Sequence, residues 1–196
     1  MNSPIILCSG GVDSLAMVVM AVAGDLHPIL LHVQYDHPAA AEELRASRQI
    51  HSAFAGSCKL YLHKAAIHCT AMDIGAGAGG ARIVRGRNLL LLAIAHNLSA
   101  LFDGVGDPGQ RRDIWIGCTR EDQADYADCT PDFLFKVKLV LGGGVGIDAP
   151  LINRSRAEVM ALIPEPLLRL AWSCYQPVNG DPCGRCNSCM QGGDDD

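Results

Sequence analysis

No apolar run in this 196-residue chain reaches the roughly 20 residues that a membrane-spanning helix needs. No Lys/Arg-rich stretch is present either. Formal net charge is −5, and Asp194-Asp195-Asp196 supply three of those negatives. What remains is near neutral, so direct binding to nucleic acid is not expected. A Walker-type loop is missing, because no Gly-Lys-Ser/Thr follows the first glycines, and no Gly-x-Gly-x-x-Gly turn marks a dinucleotide fold. No internal repeat is visible. The chain opens on an apolar strand rather than on a signal peptide, which makes the cytoplasm the expected location. Its length suits one domain with a real core and a small appendage.

The most informative stretch present is Ser9-Gly10-Gly11-Val12-Asp13-Ser14. Ile5-Ile6-Leu7-Cys8 before it reads as a strand, and Leu15 to Val22 after it reads as a buried helix. A strand that turns through two glycines into a helix N-terminus suits a phosphate. The glycines admit the anion to the backbone, and first-turn N–H groups and the helix dipole point at it. The bland alternative is a Gly-Gly turn with Asp and Ser capping a helix. The hexapeptide resembles the pyrophosphate loop of the ATP pyrophosphatase family. That resemblance implies ATP binding by Cys8, Ser9, Gly10, Gly11, Val12, Asp13, Ser14 and Leu15, with the Ser9 and Ser14 hydroxyls on phosphate and Asp13 beside magnesium.

Nine cysteines are many for a chain expected in a reducing compartment. Cys8, Cys58, Cys69, Cys118 and Cys129 are scattered. Cys174, Cys183, Cys186 and Cys189 instead form C-x8-C-x2-C-x2-C among Gly, Pro, Asn and Asp. Cys-x-x-Cys repeats on tight turns direct four thiolates at one tetrahedral ion, and zinc is the usual occupant. Structural zinc contributes on the order of 10 kcal/mol to folding of small metal-dependent segments. An iron–sulfur cluster shares this ligand chemistry, and a pair of disulfides is the remaining alternative.

Strands and helices alternate along the chain. His27 to Gln34 reads as a second strand, Pro38 to Phe54 as an amphipathic helix, and Lys59 to His63 as a third strand. Ala71 to Ala81 is Gly/Ala-rich and is expected to be a mobile loop near the ligand. Asn88 to Leu101 reads as a buried helix, followed by a turn at Asp103 to Gly109. Asp113 to Gly117 reads as a core strand, Pro131 to Leu141 as a helix, and Ile147 to Ile152 as a last strand. Ser155-x-x-Glu158 is a capping box that opens a further helix. This alternation predicts an α/β fold with a mostly parallel sheet and helices on both faces. The predicted division is an α/β domain over 1–171 and a zinc-binding segment over 172–196.

In such sheets ligands bind beyond the C-terminal strand ends. Gln34-Tyr35-Asp36-His37, Arg85-Gly86-Arg87-Asn88, Gly117 to Asp122, and Asp125 to Cys129 all follow strands or open helices. Each alone has a plain reading: Asn88 as an N-cap, Arg87 as a surface charge, Asp128 as a solvated turn residue. Taken in order, the phosphate loop, Gly86-Arg87-Asn88, Asp122…Tyr126-Ala127-Asp128-Cys129, Ala149-Pro150-Leu151-Ile152 and Trp172-Ser173-Cys174-Tyr175…Cys183 to Cys189 resemble the 7-cyano-7-deazaguanine synthase family. The resemblance spans nearly the whole chain, and the Trp-Ser-Cys block with its cysteine spacing is what selects this family.

The resemblance implies that ATP and magnesium activate the carboxylate of 7-carboxy-7-deazaguanine as an adenylate, that ammonia displaces AMP to give an amide, and that a second activation dehydrates the amide to the nitrile. Ser9, Asp13, Ser14 and Arg87 are the implied catalytic residues. Arg87, Asn88, Asp122, Tyr126 and Asp128 are the implied substrate residues, and the four clustered cysteines hold zinc. The implied partners are the small-molecule substrate and ammonia, and a homodimer is compatible. Arg85 and Ala127 stand where the family carries proline, and beyond Met190 the family usually continues with an arginine and a helix. These departures leave open a relative that stops at the amide, serving DNA or protein modification. Two further alternatives are a tRNA-thiolating enzyme of the same superfamily and a non-catalytic zinc-binding module.

Overall fold

The computed structural model describes residues 3–68, 86–102, 112–142 and 144–191. The Gly/Ala-rich stretch 71–81, the turn 103–109, Cys69, Arg85 and the acidic tail lie outside them.

Five parallel strands form one sheet in the order β3-β2-β1-β4-β5. β1 (Ile5–Leu7) lies at the centre and is wholly buried. Its side chains alternate between two cores. Ile5 and Leu7 join a cluster with Leu92, Ala95, Leu134 and Val137, while Ile6 and Cys8 join Leu15, Met17, Val18, Ile50 and Val159. A strand covered on both faces carries apolar residues at successive positions, which explains the run Ile5-Ile6-Leu7-Cys8.

α1 (Val12–Ala23) follows β1 and ends at Gly24. β2 (Ile29–Asp36), α2 (Ala40–Ala53) and β3 (Lys59–His68) then extend the sheet to one side. α3 (Arg87–Ser99) returns the chain to β4 (Ile114–Trp115), which pairs with the other side of β1. α4 (Arg120–Asp125), a 3-10 turn at Ala127–Cys129, α5 (Pro131–Leu141) and β5 (Ile147–Asp148) follow. α6 (Arg156–Met160), α7 (Glu165–Leu168) and α8 (Asn187–Gln191) complete the described elements.

Most expected elements form. α5 has the predicted bounds: Thr130 caps it by accepting from the Phe133 N–H at 3.2 Å, and Pro131 opens it. The Ser155–Glu158 capping box is present with both reciprocal hydrogen bonds. The last strand is shorter than expected. It stops at Asp148, and the chain turns over Pro150 with the Ile152 N–H donating to the Ala149 carbonyl at 3.0 Å. Proline brings no donor to continue a ladder. α4 was not anticipated. Its capping box pairs Thr119 with Asp122, a short carboxylate in place of the usual glutamate.

Candidate active site

The chain runs from β1 to β2 and β3 on one side and then crosses through α3 to β4 on the other, so the crevice at the C-terminal ends of β1 and β4 is the topological switch point of this sheet. A cavity of about 300 Å³ opens there. Ser9, Gly11, Val12, Asp13 and Ser14 form its floor after β1, and Gly117 borders it after β4. Arg87, Asn88, Asp122, Tyr126 and Asp128 line the same space. The fold therefore gathers residues spread over more than a hundred positions of sequence. Leu15 is an exception: its side chain is fully buried in the core. Gly10 supports the loop from behind.

The phosphate loop is internally braced. The Ser9 N–H donates to Ser14 Oγ at 3.1 Å, the two hydroxyls lie 3.2 Å apart, and the Gly11 N–H donates to Ser9 Oγ at 3.4 Å. Gly10 has φ +85°, and a Cβ there would stand 2.7 Å from the Glu43 carbonyl oxygen and 2.9 Å from the Ser47 nitrogen. The start of α2 is thus packed directly on the loop. Below it the Cys8 carbonyl accepts from Ser47 Oγ at 3.2 Å, and His32 Nδ1 lies 2.9 Å from the same oxygen. Burial pushes the His32 imidazole toward its neutral form.

Asp13 carries the clearest chemical signal. Its Oδ1 is buried without a hydrogen-bond partner. Burial first, and then the neighbouring Asp122 carboxylate, raises its carboxyl to about 6. An orphaned carboxylate oxygen beside a phosphate loop suits a hard cation such as magnesium. Arg156 opposes that rise by its charge. It lines the cavity from the first turn of α6 and was not singled out in the sequence.

Asn88 is not the N-cap of α3. Gly86 takes that position with φ +67°, and Asn88 is buried at the second position of the helix, within its first turn. Its Nδ2 donates to the Asp128 carbonyl at 3.1 Å and to Cys129 Sγ at 3.3 Å, fixing the 3-10 turn that presents Asp128. Asp122 Oδ2 accepts from the Thr119 N–H at 2.8 Å and from its hydroxyl at 2.7 Å, so this oxygen is committed to the α4 cap. Arg87 meets the Tyr35 phenol, and Glu43 and Tyr175 stand near enough to favour its charge despite burial.

His37 Nε2 and Glu43 Oε2 are 3.5 Å apart, a distance that would suit an ion pair. Burial, however, pushes Glu43 up to about 7 and His37 down to about 4. Burial thus works against the ion pair that the distance would suit. Glu43 was missed in the sequence, because nothing separates it from Glu42 until α2 packs against the loop.

Residues 172–191 close the remaining wall with Trp172, Ser173, Tyr175, Gln176 and Ser188. Cys174, Cys183, Cys186 and Cys189 are free thiols whose sulfurs all lie within 4.8 Å of one another. The Cys183–Cys189 and Cys174–Cys186 separations are both 4.0 Å. A tetrahedral zinc with bonds near 2.3 Å sets its sulfurs about 3.8 Å apart, so this donor set fits. The Arg185 N–H draws the Cys183 thiol down to about 6, against some burial, which favours the thiolate a metal requires.

The comparisons agree with this geometry. The model of the family described as "Queuosine biosynthesis protein QueC" matches residues 3–193. A 7-cyano-7-deazaguanine synthase from Methanothrix thermoacetophila is 28% identical over 223 residues, covering 97% of this chain and 92% of that protein. One from Campylobacter curvus is 30% identical over 213 residues, covering 96% and 90%. Among solved structures, NMN synthetase from Francisella tularensis superposes with a TM-score of 0.51 at 16% identity, over 97% of this chain and 72% of that one. The tRNA thiolase NcsA from Methanococcus maripaludis gives 0.51 at 13% identity, over 94% and 63%. These two likenesses concern the fold. With the sequence matched from residue 3 to residue 193, the chain belongs to the QueC family of queuosine biosynthesis proteins.

Proposed function

We propose that the cavity converts 7-carboxy-7-deazaguanine and ammonia to 7-cyano-7-deazaguanine at the expense of ATP, by way of an adenylate and an amide. The observation that carries this reading is the orphaned Asp13 Oδ1, buried beside the braced Ser9–Ser14 loop in a cavity that Arg87 also lines. The names of the relatives point to the same product.

Carboxylate and amide oxygens leave poorly, whereas AMP leaves well. The chain therefore has to hold a triphosphate against a carboxylate and stabilise the charge that develops as pyrophosphate departs. Loop N–H groups at the start of α1, with the Ser9 and Ser14 hydroxyls, take the phosphates. Magnesium, held through Asp13, supplies Lewis-acid charge neutralisation when bound. Arg87 orients the substrate carboxylate or a phosphate oxygen by paired hydrogen bonds. The Asp128 carboxylate accepts from the N–H edge of the guanine-like ring, and Tyr126 packs on its face. Asn88 holds the turn that carries Asp128. The four cysteines bind zinc, and residues 172–196 act as a metal-held segment appended to an α/β domain over 1–171.

The test is incubation of the purified protein with ATP, magnesium, ammonium and 7-carboxy-7-deazaguanine, with products read by mass spectrometry. The expected product is the nitrile. An amide that accumulates without nitrile would assign the chain to the first half of the sequence only. Absence of product, with ATP still bound, would overturn the choice of substrate.

A further inference from the structure

Cys118 and Cys129, left among the scattered cysteines by the sequence, meet at the cavity. Cys118 follows β4 and is wholly buried, whereas Cys129 ends the 3-10 turn and lines the cavity. Cys129 Sγ receives a hydrogen bond from Asn88 Nδ2 at 3.3 Å. The neighbouring Cys118 thiol draws Cys129 below the usual thiol range, although burial and the Asp122 and Asp128 carboxylates act the other way. Cys118 is pushed up by its contact with Cys129 and by burial. The pair is thus polarised. The sulfur facing the cavity has the Asn88 amide as a donor and the Cys118 thiol beside it to support it as a thiolate.

We propose that Cys129 is the nucleophile that takes the activated acyl group before ammonia does. This rests on the adenylation reading above. The thiolate attacks the carboxyl carbon of the adenylate, and the carbon–sulfur bond forms as the carbon–oxygen bond to AMP breaks, with AMP leaving on that electron pair. Ammonia then attacks the thioester carbon. The carbon–sulfur bond breaks, Sγ departs as the thiolate, and the surplus proton on nitrogen passes to water, leaving the amide. No oxidant or reductant is involved. Two easier displacements replace one, as in other covalent acyl transfers. The acyl carbon in question is attached to an electron-rich ring and is a weak electrophile. A polarisable thiolate fixed in the same cavity meets it at high effective concentration. The acyl group also remains bound after AMP has left, which a freely diffusing nucleophile does not achieve.

The structural alternative is that Cys129 only anchors Asn88. The experiment uses the full chain with ATP, magnesium and 7-carboxy-7-deazaguanine but no ammonium, quenched in acid. The expected result is pyrophosphate release together with one substrate acyl group on the peptide containing Cys129, and discharge of that adduct as the amide when ammonium is added. Cys129→Ala is expected to keep pyrophosphate release and to lose both adduct and amide. Pyrophosphate release by the unaltered protein without acylation of Cys129 would overturn the proposal while leaving adenylation intact, and this arm decides the matter even where the variant does not fold. Full amide formation by Cys129→Ala would also overturn it. Absence of pyrophosphate from the unaltered protein would overturn both readings at once.

Discussion

The backbone N–H of Trp172 donates to the carbonyl of Gly10 at 2.9 Å, which ties the four-cysteine segment to the phosphate loop. Two further contacts hold the joint. Trp172 Nε1 donates to the Cys174 carbonyl at 2.8 Å, and the Arg45 guanidinium lies 5.4 Å from the Trp172 ring centre. The four-cysteine cluster and the Ser9–Ser14 loop therefore share a support. Stripping the metal with a strong chelator is expected to weaken ATP binding by at least about 1 kcal/mol, the worth of one such hydrogen bond, or roughly fivefold in affinity. Calorimetric titration with ATP, with circular dichroism to confirm that the helices persist, measures this. Equal affinity with and without metal would show the two sites to be independent.

Gly10→Ala places a methyl group against backbone atoms of α2 that cannot rotate away, at a residue with φ +85°. The expected cost is about 1–3 kcal/mol of stability, read as a lower urea midpoint, together with loss of ATP binding. A variant as stable as the parent would mean that α2 can retreat from the loop.

The Glu43 carboxyl, raised by burial to about 7 in the folded protein against an ordinary 4.5, makes stability fall as pH rises. Below about 4.5 the group is protonated in both states and costs nothing. Between there and about 7 the unfolded chain ionises while the folded one resists, and the penalty is complete above the folded value. Asp13 contributes a slope of the same sign in metal-free protein, so the comparison has to be with a variant. Glu43→Gln is expected to gain stability relative to the parent from about pH 5 to about pH 7 and to level off above. Urea midpoints across that range, with metal-free buffers for the loop, provide the check.

Asp13→Asn removes a buried carboxylate whose Oδ1 has no protein partner. In the absence of divalent cations the variant is expected to melt at a higher temperature than the parent at pH 8. With magnesium and ATP the order of activities reverses: pyrophosphate release falls by orders of magnitude because the cation has lost its anchor. A variant with both normal stability and normal turnover would remove Asp13 from the reaction.

Much of the sheet was legible because its signals are local. The apolar run Ile5 to Cys8 needs no tertiary information to read as a doubly covered strand, and Ser155-x-x-Glu158 and Thr130-Pro131 announce helix starts through their own hydrogen bonds. The cysteine cluster was readable from spacing alone. Glu43, Arg156 and Tyr175 were not, because each owes its place at the cavity to packing between elements distant in sequence. Asn88, singled out in the sequence, lines the cavity, but its contacts were not legible. The partner of its amide, Cys129, lies 41 positions away, and only the fold brings the two together. Asp122 carries a second duty, as the cap of α4, which its short side chain disguised.

The central position of β1 has a consequence for how the chain is made. Ile5 pairs with Ile29 on one side and with Ile114 on the other. At about 5–20 residues per second, β4 reaches the first strand roughly 5–20 s after β1 has been synthesised. Throughout that interval one edge of the most apolar strand has no β4 beside it, while β2 and β3 can already dock. The nascent chain thus passes through a stage with an open, adhesive sheet edge, and slowing elongation before residue 114 would lengthen the time in which a chaperone has to guard it.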